Sequence, residues 1–187
     1  MIRIISGKYK GRRLKRVSSP LVRPIPDKLK ESLFNIIQDR IRDRLILDGF
    51  AGTGSFGIEA LSRGARAIVF IEQLPEAVKV IRANMEKCGI EDGARIIPKE
   101  YNRAVIQLAE EEIRFDLVFL DPPYRILDER DPLKVIKKRE ILSAGGTIVL
   151  RHHHKTRFES RYFQVSRRVH IGDDVLVLYR NGFEQEE

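Results

Sequence analysis

The stretch Leu45-Ile46-Leu47-Asp48-Gly49-Phe50-Ala51-Gly52-Thr53-Gly54-Ser55-Phe56-Gly57 decides the fold of this chain. Its first three residues are a short apolar run of strand type. The glycines after them open a turn, and from Ser55 to Arg63 the pattern is helical, closed by Gly64. A strand that passes through a glycine-rich turn straight into a helix is the first half of a β–α–β unit. The alternation continues outward. Ala67 to Ile71 reads as a second strand, and Pro75 opens a helix to about Lys87, closed by Gly89. Arg95-Ile96-Ile97 is a third strand before a helix from about Asn102 to Glu111, and Phe115 to Leu120 is a fourth. Asp131-Pro132 starts a short helix. Gly146 to Leu150 is a fifth strand, and Tyr162 to Val169 with Val175 to Tyr179 forms a closing hairpin that turns near Gly172-Asp173. Upstream, Asp27 is placed to cap a helix from Lys28 to about Gln38. Repeated strand–helix units predict an α/β domain with a doubly wound, mostly parallel sheet, edged by an antiparallel hairpin.

The 187 residues suit one such domain with a small extension. No apolar run is long enough to span a membrane, and Met1-Ile2-Arg3-Ile4-Ile5 lacks a signal peptide's apolar region. The single cysteine, Cys88, excludes an internal disulfide and a cysteine-cluster zinc site, which fits a reducing cytoplasm. The net charge of +8 is unevenly placed. Residues 1–30 hold ten Lys or Arg and one acid, a net of +9, which leaves −1 for the remainder. Such a concentrated basic segment is an electrostatic footprint for nucleic acid, whereas the bland reading is a solvated tail. Ile2, Ile4, Ile5 and Leu14 interleave with the charges, and Gly7 and Gly11 offer turns, so the segment reads as a small hairpin. Residues 1–26, ending in the connector Arg23-Pro24-Ile25-Pro26, are therefore expected to form a basic extension to a domain of residues 27–187. Its candidate nucleic-acid contacts are Arg3, Lys8, Lys10, Arg12, Arg13, Lys15, Arg16 and Arg23.

Gly52, Gly54 and Gly57 match G-x-G-x-x-G, a weak signal by itself. Asp48, just before the glycines, discriminates. A carboxylate there opposes the pyrophosphate of a dinucleotide but welcomes a cation. S-adenosyl-L-methionine carries such a cation, its α-ammonium, and no phosphate. Glycines at 52 and 54 allow close backbone approach to it. Glu72, at the end of the second strand, can accept both ribose hydroxyls. After the third strand, the Asn102 amide is placed either for the adenine edge or to cap the next helix.

Asp121-Pro122-Pro123-Tyr124 follows the fourth strand. Two prolines force the chain out of the sheet at its carboxyl edge, where open α/β sheets bind ligands. An amino-bearing ring could stack on Tyr124 while its NH2 donates to Asp121 and to the Pro122 carbonyl. His152-His153-His154 after the fifth strand reads as a polar loop, and no metal is expected.

Asp48-x-Phe50-Ala51-Gly52-Thr53-Gly54-Ser55, Glu72 and Asp121-Pro122-Pro123-Tyr124 together resemble an S-adenosylmethionine-dependent amino-group methyltransferase with a Rossmann-like class I fold. More narrowly, Arg3-Ile4-Ile5-Ser6-Gly7-x-x-x-Gly11-Arg12-x-Leu14, Arg23-Pro24, Glu31-Ser32-Leu33-Phe34-Asn35 and Gly57 to Ala65 resemble the RsmD-type family. That resemblance implies methylation of the N2 amine of one guanine in small-subunit (16S) ribosomal RNA, naked or in an assembling 30S particle. A monomer is expected. The resemblance also implies cofactor contacts at Asp48, Phe50, Ala51, Gly52, Thr53, Gly54 and Glu72, and places an acid after the third strand where this chain has Asn102. Asp121 is expected to orient the amine. A methyltransferase of DNA adenine or cytosine, or of another RNA, and a non-catalytic RNA-binding factor on the same fold are the alternatives; an NAD-linked enzyme is disfavoured by Asp48.

Overall fold

In a computed structural model the chain is described at residues 2–19, 22 and 25–181. The described residues form nine strands and six α-helices, largely in the expected alternation: β1 (Ile2–Arg3), β2 (Arg13–Leu14), α1 (Asp27–Ile36), β3 (Leu45–Asp48), α2 (Ser55–Ser62), β4 (Ala67–Ile71), α3 (Pro75–Cys88) and β5 (Ala94–Ile97). They continue with α4 (Tyr101–Glu110), β6 (Phe115–Leu120), α5 (Tyr124–Glu129), α6 (Leu133–Arg139), β7 (Leu142–His153), β8 (Gln164–Ile171) and β9 (Asp174–Arg180). Seven strands form one sheet in the order β5-β4-β3-β6-β7-β9-β8. The first five are parallel, and the β8–β9 hairpin closes the edge in antiparallel pairing. Among the described residues no helix is long and apolar enough to cross a membrane.

The central strands are apolar on both faces because both faces are covered. Ile46, Ile68, Phe70, Leu117 and Phe119 point to one side, where Phe34 of α1, Phe56 of α2 and Ile81 of α3 meet them. Leu47, Val69, Ile71, Val118 and Leu120 point to the other, against Ala104 and Leu108 of α4 and Ile136 of α6. Gly57 permits a close approach of α2 to the sheet: a Cβ there would stand 2.3 Å from the Phe70 ring. The third glycine of the motif thus seats α2 on the sheet.

The basic hairpin is tied to that body. Ile2, Ile4 and Leu14 are buried in the same cluster as α1 and α2. The Ile5 and Ser6 amides donate to the carboxylate of Glu59 at 2.8 and 3.0 Å. Lys30 lies 3.3 Å from the same carboxylate, with both side chains fully buried, and Arg63 donates to it at 2.9 Å. Gly7, at φ +83°, lies so close to α2 that a Cβ would stand 1.8 Å from the Ser62 carbonyl oxygen.

Several local expectations change. Asp27 does not cap α1. Pro26 holds the cap position and Asp27 accepts from Arg3 Nε at 2.9 Å instead. Asn102 does not cap α4, because the helix starts one residue earlier and Glu100 accepts from the Arg103 amide at 3.2 Å. The fifth strand of the sheet runs Leu142–His153, longer than Gly146 to Leu150. His152 and His153 therefore belong to β7, paired with Val175 and Asp174, and are not loop residues. Hydrogen bonding to β9 extends the strand through polar residues that carry no strand signal.

Glu59→Ala is expected to lower stability by about 3 kcal/mol, because it leaves a buried lysine charge and two hairpin amides unpaired. Urea unfolding followed by far-UV circular dichroism measures it.

Candidate active site

Asp48 ends β3 level with Phe70 on β4 and Phe119 on β6. Glu72 and Asp121 follow those two strands directly, so three adjacent parallel strands deliver three carboxylates to one edge of the sheet. They line a cleft of about 370 Å³ together with the 49–53 loop, Glu100, Tyr101 and Pro122-Pro123.

The loop adopts the shape its glycines allow. Gly52 and Gly54 take φ of +55° and +75°, a left-handed conformation that side chains disfavour. The Gly52 amide donates to Glu72 Oε2 at 2.8 Å, and the Leu74 amide donates to Oε1 at 2.9 Å. Burial pushes the Glu72 carboxyl up, and these amides draw it back. Thr53 presents its carbonyl to Asn84 Nδ2 at 2.9 Å. The Phe50 ring stacks on Tyr101 with centroids 4.7 Å apart.

Asp48 is the outlier. It is 1% exposed, and neither carboxylate oxygen has a hydrogen-bond partner. Burial, then the nearby Asp121 and Glu72 charges, raise its pKa well above the ordinary carboxylate range, against an opposing pull from the Gly57 amide. A buried carboxyl with no formed hydrogen bond is suited to a cationic donor from outside the chain. The α-ammonium of S-adenosylmethionine is such a donor, and the close-approach glycines beside it leave room for backbone contact. The residues present fit that cofactor.

Asp121 is partnered. Arg151, which lines the cleft from the end of β7, donates from Nη1 to Asp121 Oδ2 at 2.7 Å and from Nε to Asp174 Oδ1 at 3.0 Å. Burial raises the Asp121 carboxyl and Arg151 opposes that rise. Pro122 is buried, Pro123 is exposed, and α5 starts at Tyr124, whose side chain lies outside the described atoms.

Asn102 stands apart from these residues. It lines a neighbouring cavity with Ile106, Leu127 and Asp131. Because α4 begins at Tyr101, the acid beside the third parallel strand's end is Glu100, which caps α4 and pairs with Arg130 at 3.2 Å. Of the basic candidates, Arg3, Lys8, Lys10, Arg12, Arg13, Lys15 and Arg16 are exposed on the hairpin side, and Arg23 lies outside the described residues. Lys15 is fastened to α3 through Asn84, which accepts from its amide at 2.7 Å.

Sequence reasoning missed Arg151, Asn84, Val22 and Ile25, all at or beside the cleft. Arg151 carried a signal, since it directly follows the apolar run Gly146 to Leu150 near the carboxyl edge. A buried asparagine in a helical run carries none. His153, His154 and Asp173 bring ligand-type atoms within 4.8 Å of one another. The Lys155 amide donates to His153 Nδ1 at 3.1 Å, so that nitrogen is engaged within the chain.

The fold and the site define a class I, S-adenosylmethionine-dependent methyltransferase. Residues 2–180 match the protein family described as Conserved hypothetical protein 95. YlbH of Bacillus subtilis is 37% identical over 151 residues, covering 81% of this chain and 82% of that one. A Haemophilus influenzae protein named ribosomal RNA small subunit methyltransferase D is 38% identical over 125 residues, covering 66% of this chain and 64% of its own length. The chain thus spans less than two thirds of that relative. The solved structure of yhhF from Escherichia coli superposes with a TM-score of 0.81 at 27% identity, covering 96% of this chain and 97% of that one. The chain belongs to this family, the RsmD-type methyltransferases.

Asp48→Asn is expected to raise the thermal midpoint of the ligand-free protein near neutral pH. A carboxyl whose folded pKa is raised holds its proton more tightly in the native state, so it lowers stability as pH rises above its unfolded value of about 3.9. The gain should shrink as the pH is lowered towards that value, which calorimetric melts across pH will show.

Proposed function

We propose that this protein methylates the exocyclic N2 amine of a guanine in small-subunit (16S) ribosomal RNA, naked or within an assembling 30S particle, as a cytoplasmic monomer. The observation that carries the reading is the pair of acids in one cleft: buried Asp48 without a hydrogen-bond partner and half-buried Asp121 with one oxygen held by Arg151. The names of the small-subunit relatives support ribosomal RNA as the substrate. The Arg3-to-Leu14 signature supports ribosomal RNA as well, and the resemblance to the RsmD-type family supports guanine N2.

When bound, S-adenosylmethionine supplies a methyl group on a positively charged sulfur. Asp48 would hold its ammonium, Glu72 its ribose hydroxyls, and Glu100 (not Asn102) the adenine amine. Phe50, Ala51, Gly52, Thr53 and Gly54 would wall it. The chain's chemical task is to present the acceptor. An aryl amine is a poor nucleophile because its lone pair is delocalised into the ring. Asp121 and the Pro122 carbonyl accept the two amine hydrogens, which favours a tetrahedral nitrogen with its lone pair aimed into the cleft. The methylated nitrogen is acidic and loses its proton readily, so Asp121 needs no base-like pKa. Tyr124 would stack the target base, which has to leave any helix to enter. Residues 1–26 act as the RNA-binding extension of a catalytic domain of residues 27–187.

Asp121→Ala should lower methyl transfer from labelled cofactor to undermethylated small subunits by about a hundredfold. Calorimetric affinity for S-adenosylmethionine should stay unchanged. Wild-type turnover in this variant removes Asp121 from the chemistry, and preferential labelling of duplex DNA overturns the substrate. Replacing Arg12, Arg13 and Arg16 together by Ala should weaken RNA binding and reduce the slope of log affinity against log salt by about two. An unchanged slope takes the hairpin out of the RNA interface.

A further inference from the structure

Arg151 sits one residue past Leu150, which is level with Leu120 on β6, so the guanidinium and Asp121 emerge side by side from neighbouring parallel strands. The side chain is 9% exposed. It is held at two points. Nε donates to Asp174 Oδ1 at 3.0 Å and Nη1 donates to Asp121 Oδ2 at 2.7 Å. A guanidinium is planar and rigid, so anchoring Nε on β9 also fixes the direction in which Nη1 points.

We propose that Arg151 is a positioning residue for methyl transfer: anchored by Asp174, it clamps Oδ2 of Asp121 and leaves Oδ1 as the oxygen presented to the acceptor amine. The inference rests on the reading of the cleft as an amino methyltransferase site and deepens it. Facing Asp121 are Asp48 from β3, Arg151 from β7 and Asp174 from β9, with Arg125 of α5 in the wall of the cleft. Two of these are acids. Without the guanidinium, Asp121 would lie half-buried between acids and hold its proton more tightly. A protonated carboxyl offers a donor to an amine that needs an acceptor. The clamp therefore sets both the direction of Asp121 and its ability to accept.

The test uses the full chain with Arg151→Met, Arg151→Lys and Asp174→Asn. Steady-state transfer to undermethylated small subunits is measured across pH, beside 13C titration of the Asp121 carboxyl in the ligand-free protein. Arg151→Met should lower kcat by about a hundredfold and leave the KM for S-adenosylmethionine unchanged. It should also move the acid limb of the kcat profile, and the Asp121 titration, to higher pH. Arg151→Lys keeps the charge without the fork. Its acid limb should return towards that of the wild type while kcat stays low. Asp174→Asn should lower kcat by releasing the anchor. A folded Arg151→Met protein with the wild-type acid limb and Asp121 titration overturns the proposal. If that variant does not fold, Arg151→Lys and Asp174→Asn with wild-type kcat overturn it equally. A wild-type enzyme that labels no nucleic acid sinks the underlying functional reading instead, and the ligand-free titration still reports whether Arg151 governs Asp121.

Discussion

Three carboxylates at the carboxyl ends of β3, β4 and β6 set the terms for the rest of this molecule. Parallel pairing forces Asp48, Glu72 and Asp121 to one edge, where Asp48 and Glu72 are buried and Asp121 is half-buried in the wall of the cleft. Burying like charges together is expensive unless each finds a partner. Each is settled differently. Glu72 takes two loop amides and so shapes the glycine-rich turn. Asp121 takes Arg151, which in turn requires Asp174 on the C-terminal hairpin. Asp48 makes no hydrogen bond, and from the chain only the Gly57 amide offsets its burial. In the ligand-free protein burial therefore favours the protonated form of Asp48.

The basic hairpin shows how a charged segment becomes part of a core. Its cations face outward, while Ile2, Ile4 and Leu14 face inward. Glu59, reaching up from α2, takes the amides of Ile5 and Ser6 with the cations Lys30 and Arg63. Burial pulls the Lys30 pKa down and Glu59 opposes that fall. The same segment reaches the cofactor loop. Asn84 joins Lys15 to the Thr53 carbonyl, and a Cβ on Gly52 would stand 2.9 Å from the Val22 side chain. The surface read as an RNA contact and the loop read as a cofactor contact are thus fastened to one helix.

Much of this was legible from local pattern. The strand cores at 67–71 and 115–120 and the helix stop at Gly89 were readable because continuous apolar runs, proline and glycine act over a few residues. The misses share a cause. α5 follows Pro122-Pro123 too closely and is too short to announce itself. The reach of β7 through His152 and His153 depends on β9, more than twenty residues away in sequence. Asn102 yielded its place to Glu100 because one residue of register at the start of α4 decides which side chain turns to the cleft.

By itself the sequence determined the alternation of strands and helices, the acids at the strand ends and the polarity of the first thirty residues, since each depends only on neighbours along the chain. Tertiary structure alone decided which acids have partners. Arg151 meets Asp121 across thirty residues, Glu59 gathers amides from the hairpin across more than fifty, and Asp48 is left without a partner. Pairing at such separations follows from the order of strands in the sheet, and no local pattern records that order.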